Sequence, residues 1–136
     1  MAREPKTKPT KASVAGFIAA IANDKRRGDA EAVARLLGEV TGEKPVLWGE
    51  SIVGFGSYES PTGDWPLIGF SPRKANTAIY LMDGVEQHAA QVAKLGKVKT
   101  AKVCLYVTKL ADVDLGVLRA ILRKSWDRMR AQHSAS

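Results

Sequence analysis

The chain has 136 residues, of which 45% are hydrophobic and 26% charged, with a formal net charge of +7 and a pI near 9.7. This length and balance are typical of one soluble globular domain that can bury a core without disulfides. No apolar run approaches the roughly 20 residues that a membrane-spanning helix needs. The single cysteine, Cys104, excludes an internal disulfide and a multi-cysteine zinc site. We therefore expect a cytoplasmic protein.

The positive charge is concentrated at the two ends of the chain. Residues 1–27 carry +5 and residues 94–136 carry +7, whereas residues 28–93 carry −5. Basic ends can bind nucleic acid or another polyanion, but they can equally be a solubilising surface. No aromatic–basic repeat or groove-reading motif accompanies the charge, so both interpretations stay open.

Composition divides the chain into one domain and two tails. Residues 1–11 hold two prolines, several charges and almost nothing to bury, which predicts a disordered basic tail. A single α+β domain is expected over residues 12–131, followed by a short disordered tail over 132–136.

The domain begins with two predicted amphipathic helices. Ser13 is expected to cap the first, whose apolar residues recur at spacings of three and four. Asn23 or Asp24 is expected to cap the second helix, which runs to Val40 and stops at Gly42.

Strand patterns follow. Residues 52–58 alternate between the two faces, and residues 65–70 and 76–82 form further strands, joined by loops rich in Pro, Gly and Ser. Three strands joined by short loops predict an antiparallel meander. Residues 46–48 fit a short strand or a turn of helix.

The end of the domain is predicted as helix, strand and helix. Asp83 is expected to cap a helix that ends near Leu95, residues 102–108 form a fourth strand, and Asp112 or Asp114 begins the last helix. The buried stripe of that helix is predicted as Leu115, Leu118, Leu122, Trp126 and Met129. The order α-α-β-β-β-α-β-α predicts an α+β fold, in which an antiparallel sheet of four or more strands has helices packed on one face.

Alternation along the fourth strand predicts a binding face. If Leu105 faces the helices, then Lys102, Cys104 and Tyr106 lie on the opposite face, together with tyrosines of other strands if the registers allow. Strand glycines at Gly54, Gly56 and Gly69 leave room there, and basic turns border it. Such a face suits a small anionic or aromatic ligand. The candidate ligand-binding residues are Tyr58, Arg73, Lys74, Tyr80, Lys97, Lys102, Cys104 and Tyr106.

Each of these residues also has a structural interpretation. The tyrosines fit amphipathic sheet positions, Cys104 fits a small buried hydrophobe, and the lysines fit a solvated surface. No motif with known catalytic mechanics is present. His88 lies at helical spacing with apolar residues and is predicted to be half-buried and structural, and His133 falls in the predicted tail. We therefore expect a protein that is not an enzyme.

The order and spacing of several short elements resemble the YdhG-like family of small bacterial domains of unknown function. The matching elements are Gly54-Phe55-Gly56, Tyr58, Gly69-Phe70, Arg73-Lys74, Tyr80-Leu81, Leu95-Gly96-Lys97, Lys102, Cys104-Leu105-Tyr106 and Leu110 to Leu115. The resemblance implies a frataxin-like α+β architecture. It also implies a role in iron handling, because a member of the family is described as an iron chaperone. Iron delivery relies on clustered oxygen ligands, whereas the acidic residues of this chain are scattered.

Three functions follow as hypotheses. The first is an intracellular binding domain that holds a small ligand or a metal on the predicted sheet face. The second is binding of nucleic acid or another polyanion through the basic terminal helices, where Arg119 and Arg123 are one turn apart, as are Lys124 and Arg128. The third is protein interaction, including a homodimer formed through sheet edges or Trp48; the sequence leaves monomer and homodimer open.

Overall fold

The computed structural model describes residue 10 and residues 12–49, 51–61 and 63–133. Apart from Thr10, the predicted N-terminal tail lies outside the described residues, as do residues 134–136 of the predicted C-terminal tail. None of the described helices combines the length and the apolar character that crossing a membrane requires.

Two helices form where capping chemistry predicts them. Helix α1 spans Val14–Ala19 and α2 spans Asp24–Thr41. The side chains of Ser13 and Asn23 each accept a hydrogen bond of 3.0 Å from the backbone of the first helical turn. Gly42 ends α2 in the left-handed conformation, with φ +70°. All three predicted boundary residues are confirmed.

The main sheet has six antiparallel strands, and a separate hairpin has two. The strands of the main sheet are β1 (Val46–Trp48), β2 (Ile52–Phe55), β5 (Ile68–Pro72), β6 (Thr77–Tyr80), β7 (Lys99–Thr100) and β8 (Cys104–Val107). Their spatial order is β1-β2-β5-β6-β8-β7. The hairpin pairs β3 (Tyr58–Ser60) with β4 (Gly63–Trp65). The prediction of an α+β fold with an antiparallel sheet is confirmed.

The predicted strand over residues 52–58 is wrong beyond Phe55. Gly56 adopts φ +69°, which turns the chain out of the main sheet before Tyr58. A Cβ at this position would lie 2.9 Å from side-chain atoms of Leu67 and Trp126, so the turn is also tightly packed. Tyr58 consequently lies in the hairpin and not on the main sheet.

The predicted helix over residues 83–95 is also wrong. The segment forms a 3-10 turn at Val85–His88 and one short helix, α3, at Ala89–Val92. Asp83 does not cap this segment, because its carboxylate is buried and hydrogen-bonded to other side chains. Gly84, at φ +96°, lies between Asp83 and the 3-10 turn.

The last helix, α4, spans Leu115–His133 and therefore runs two residues into the stretch predicted as a tail. A 3-10 turn at Leu110–Asp112 precedes it. The carboxylate of Asp114 accepts a hydrogen bond of 3.1 Å from the Val117 backbone, which confirms one of the two predicted starting residues.

The core lies between one face of the sheet and the helices. Helix α2 packs against β2, β5 and β6 and against α4. Of the predicted α4 stripe, Leu118, Leu122, Trp126 and Met129 are buried. Leu115 is 52% exposed, so its predicted burial is wrong; it borders an open groove beside α2.

Candidate functional site

The predicted binding face lies on the side of the sheet away from the helices. Tyr80 pairs with Cys104 across β6 and β8, and Tyr106 pairs with Ala78 on one side and Lys99 on the other. Because side chains alternate along a strand, these residues share one face, and the intervening residues of both strands are buried in the core. We call this surface the outer face and define it by Tyr80, Cys104, Tyr106 and Lys99, with Arg73 at its border.

Arg73 is held against the outer face by a hydrogen bond. Its Nη2 atom donates to the Tyr80 hydroxyl at 2.8 Å, and this bond is the largest cause that raises the pKa of Arg73. The backbone carbonyl of Arg73 accepts from Nε of Arg26 on α2 at 2.9 Å, which fixes the turn after β5. The guanidinium is therefore positioned, yet it stays exposed to solvent.

Tyr106 and Cys104 interact along the same strand. A hydrogen bond with the Cys104 side chain is the main cause that raises the pKa of Tyr106, and the positive charge of Arg73 acts in the opposite direction. All three side chains are thus close enough to influence one another electrostatically. Tyr80, Cys104 and Tyr106 are each half-buried, so they form a polar and aromatic stripe that a ligand can reach.

A groove opens beside Tyr106, which we call the lysine groove. It has a volume of about 520 Å³ and is lined by Lys97, Val98, Lys99, Tyr106, Thr108, Lys109 and Asp112. Three lysines, one aspartate and one tyrosine thus line the same groove. Lys97 was predicted to border the site. Lys109 was not, because it comes close to Lys97 only through the pairing of two loops that are separate in the sequence.

Backbone pairing around Gly96 brings the two sides of the lysine groove together. The Lys97 amide donates to the Asp112 carbonyl at 3.3 Å, and the Asp114 amide donates to the Leu95 carbonyl at 2.8 Å. Gly96 itself bridges to Val113 with φ +123°, a conformation that favours glycine.

Tyr58 does not join the outer face, so this prediction is wrong. The turn at Gly56 carries Tyr58 into the hairpin, where its ring stacks on His133 of α4 with centroids 4.2 Å apart. Burial raises the pKa of the Tyr58 phenol. His133, which was predicted to lie in a tail, therefore contacts Tyr58, which was predicted to bind a ligand.

Two predicted lysines lie beside the site. Lys74 is exposed in the turn between β5 and β6, next to Arg73. Lys102 is exposed in the bend before β8, and its carbonyl accepts a hydrogen bond of 3.0 Å from the Val85 amide. Because Lys102 precedes the strand, the alternation of β8 no longer fixes which face it occupies.

The room that glycine leaves in β2 is filled by Trp48 of the neighbouring strand. A Cβ at Gly54 would lie 2.6 Å from two indole atoms of Trp48 and 2.7 Å from Pro66. The indole is 2% exposed, and its Nε1 atom has no hydrogen-bond partner among the described residues. Trp48 is therefore buried, and the prediction that it offers an interaction surface is wrong.

A buried polar network was not predicted from the sequence. The Asp83 side chain is 0% exposed and accepts three hydrogen bonds: from Ser125 Oγ at 2.6 Å, from His88 Nε2 at 2.8 Å and from Arg128 Nε at 3.0 Å. His88 is also fully buried, which is more than the half-burial predicted for it. The network fastens α4 to the loop that follows β6.

This Asp, His and Ser set lacks the arrangement of a catalytic triad. In a triad the base accepts from the serine and donates to the carboxylate. Here Ser125 donates directly to Asp83, and His88 Nε2 donates to the same carboxylate, because an ionised carboxylate only accepts. Nδ1 of His88 is buried and finds no partner among the described residues. The contacts indicate a structural role.

The described residues hold no group of three or more His, Cys, Asp and Glu side chains that could bind a metal ion. A metal site built from hard oxygen ligands needs such a group. The residues of the outer face, an arginine, lysines, phenols and a thiol, do not fit that chemistry.

Comparison of the chain with protein-family models, curated proteins and solved structures finds no match. The family resemblance accordingly stays a prediction.

Proposed function

We propose that the protein is a non-enzymatic binding domain whose outer face binds a small anionic ligand with a planar part. The observation that carries this proposal is the lysine groove, in which three lysines and one aspartate line the same opening as Tyr106. The volume of about 520 Å³ falls within the range of ligand-binding clefts. An aromatic wall with convergent cations favours a ligand that combines a flat ring with a negative charge.

Arg73 supports the same ligand class from the other side of the stripe. Its guanidinium is already oriented by Tyr80 at 2.8 Å, so it loses less side-chain freedom when it contacts an anion. A free thiol at Cys104 and a phenol at Tyr106 supply further hydrogen-bonding groups between the two cationic regions.

The alternative function, binding of nucleic acid or another polyanion through the basic terminal helices, has less support. Arg119 donates to Glu39 at 2.8 Å, and Arg128 donates to Asp83 at 3.0 Å, so two of the four cations proposed for that surface are already paired. Iron handling and a frataxin-like architecture stay predictions of the family resemblance. A cytoplasmic location stays a prediction from the composition.

Native mass spectrometry of the protein purified from its own cells is the first test. Excess mass over the denatured chain identifies a bound small molecule, and an anionic aromatic compound would support the proposal. Bound iron without an organic ligand would contradict it and favour the role implied by the resemblance.

A titration with phenyl phosphate tests the outer face directly. We expect amide NMR shifts to concentrate on β8 and on residues 97–99, with weaker binding by Tyr106→Ala and Lys99→Gln. Lys124→Gln is the matched control, because Lys124 is an exposed lysine of α4. Shifts spread over the whole surface, or equal affinity in all variants, would refute the proposal.

A further inference from the structure

We infer, on the basis of the proposed function, that the outer face binds single-stranded nucleic acid, with bases stacked on Tyr80 and Tyr106. Three observations support this ligand class: the position of the two tyrosines, the distribution of cations on either side of them, and the ion pairs of Arg119 and Arg128 on α4, which leave fewer free cations on the competing surface.

The two tyrosines lie on neighbouring strands of one sheet face. Tyr80 is directly opposite Cys104, which is two residues from Tyr106, so the tyrosines are diagonal neighbours with Cα atoms about 7–8 Å apart. Both are half-buried, so part of each side chain stays exposed to solvent. Paired aromatic side chains on adjacent strands are how sheet-based RNA-binding domains stack successive unpaired bases.

Cations lie on both sides of this pair. Arg73 follows β5 and its guanidinium reaches the Tyr80 hydroxyl on β6, and the lysine groove begins at β7, on the other side of β8. A chain of phosphates can follow the face from one region to the other, with bases lying over the tyrosines between them. The charge distribution therefore fits the backbone of a nucleic-acid strand, whose phosphate is the same anion class as that of the proposed function.

The tyrosines also select between single and double strands. Bases of a duplex are stacked inside the helix and present only their edges, so they cannot lie on a tyrosine ring. An unpaired strand has both faces of each base free. The outer face, in contrast to a purely cationic patch, therefore favours a single strand.

Fluorescence anisotropy with a labelled oligothymidylate of about 12 nucleotides tests the inference. We expect binding that weakens between about 50 and 200 mM salt, and a weaker complex with a duplex of the same length. Tyr106→Ala and Tyr80→Ala should each weaken binding about tenfold, while Tyr106→Phe, which keeps the ring, retains most of the affinity. The double variant Lys97→Gln/Lys99→Gln should flatten the salt dependence. Thermal melts establish that each variant is folded.

Several results would overturn the inference. Equal affinity for single strand and duplex, or tyrosine variants that bind as well as the parent, would reduce the interaction to charge alone. Loss of binding in Arg123→Gln/Lys124→Gln, the matched control on α4, would move the interface to the helices. Equal competition by polyglutamate would identify a general polyanion site without stacking. Phenyl phosphate binding without oligonucleotide binding would refute this ligand class and leave the proposed function intact, whereas failure of both probes refutes both.

Discussion

The indole of Trp48 covers Gly54 on the outer side of the sheet, in the space where any other residue would carry its Cβ. A Cβ there would lie 2.6 Å from Cδ1 and from Nε1 of the indole. The two residues are on adjacent antiparallel strands, where Gly54 pairs with Val46 and Trp48 pairs with Ile52. Burial of the largest side chain of β1 thus depends on the absence of a side chain on β2.

Gly54→Ala should lower the free energy of unfolding by about 2 kcal/mol, because the indole or Pro66 must move to admit the methyl group. Urea denaturation followed by Trp fluorescence measures the loss. Gly28→Ala on α2 is the control: nothing lies within 4 Å of its Cβ position, and helix propensity should stabilise this variant by up to about 1 kcal/mol. Equal stability of Gly54→Ala and the parent would contradict the observed packing.

Asp83→Asn should destabilise the protein by about 3 kcal/mol, because it removes the charge partner of Arg128 and sets an amide N–H among the buried donors of Ser125 and His88. Ser125→Ala should cost about 1–2 kcal/mol, since it removes one of the three hydrogen bonds. Asp127→Asn, at an exposed position of the same helix, should change stability by less than about 0.5 kcal/mol. Chemical denaturation of the three variants side by side separates these expectations, and similar midpoints for Asp83→Asn and Asp127→Asn would refute the role of the network.

Local chemistry made part of this fold predictable. Ser13, Asn23 and Gly42 act within one helical turn of their own position, so their residue types alone predict where helices begin and end. The alternation of β8 likewise depends only on its neighbours, and it correctly separates Leu105 in the core from Tyr106 on the outer face.

The errors arise where distant parts of the chain decide the outcome. Asp83 has the residue type of a helix cap, but its partners Ser125 and Arg128 lie 42 and 45 residues away. In the sequence, Tyr58 continues the strand alternation of residues 52–58. In the structure, Gly56 ends that alternation by adopting a positive φ, and the sequence pattern alone does not show which glycine does so. Lys109 reaches the lysine groove only because two loops pair around Gly96.

Tyrosine ionisation provides a check on the outer face. The pKa of Tyr106 is raised from 10.0, mainly by its hydrogen bond with Cys104, so Cys104→Ala should shift the titration of Tyr106 to lower pH. Absorbance at alkaline pH, compared with that of Tyr106→Phe, assigns the change. The raised pKa means that the folded state holds the proton more tightly than the unfolded state. The associated stability is complete below pH 10.0 and falls as the pH rises through the folded-state pKa.

Tyr58 gives a second, independent alkaline titration. Burial raises its pKa from 10.0, and its ring stacks on His133. His133→Ala should expose the phenol and move its titration toward lower pH, with no effect on Tyr106. A shift of Tyr106 in this variant would contradict the separation of the hairpin from the outer face.

Gly96→Ala links the fold to the lysine groove. At φ +123° an alanine is strained, and its Cβ would overlap the carbonyl oxygen of Asp112, which also accepts from the Lys97 amide. We expect a loss of about 3 kcal/mol in the free energy of unfolding, since the two loops must separate to relieve the overlap. When the two loops separate, Lys97 moves away from Asp112 and the lysine groove opens. Phenyl phosphate should therefore bind more weakly to the folded variant as well. Gly38→Ala, on α2 with nothing within 4 Å of its Cβ position, should keep binding and keep or raise stability, as expected for Gly28→Ala. A Gly96→Ala variant that is destabilised but binds phenyl phosphate normally would show that the loop pairing does not position the ligand site.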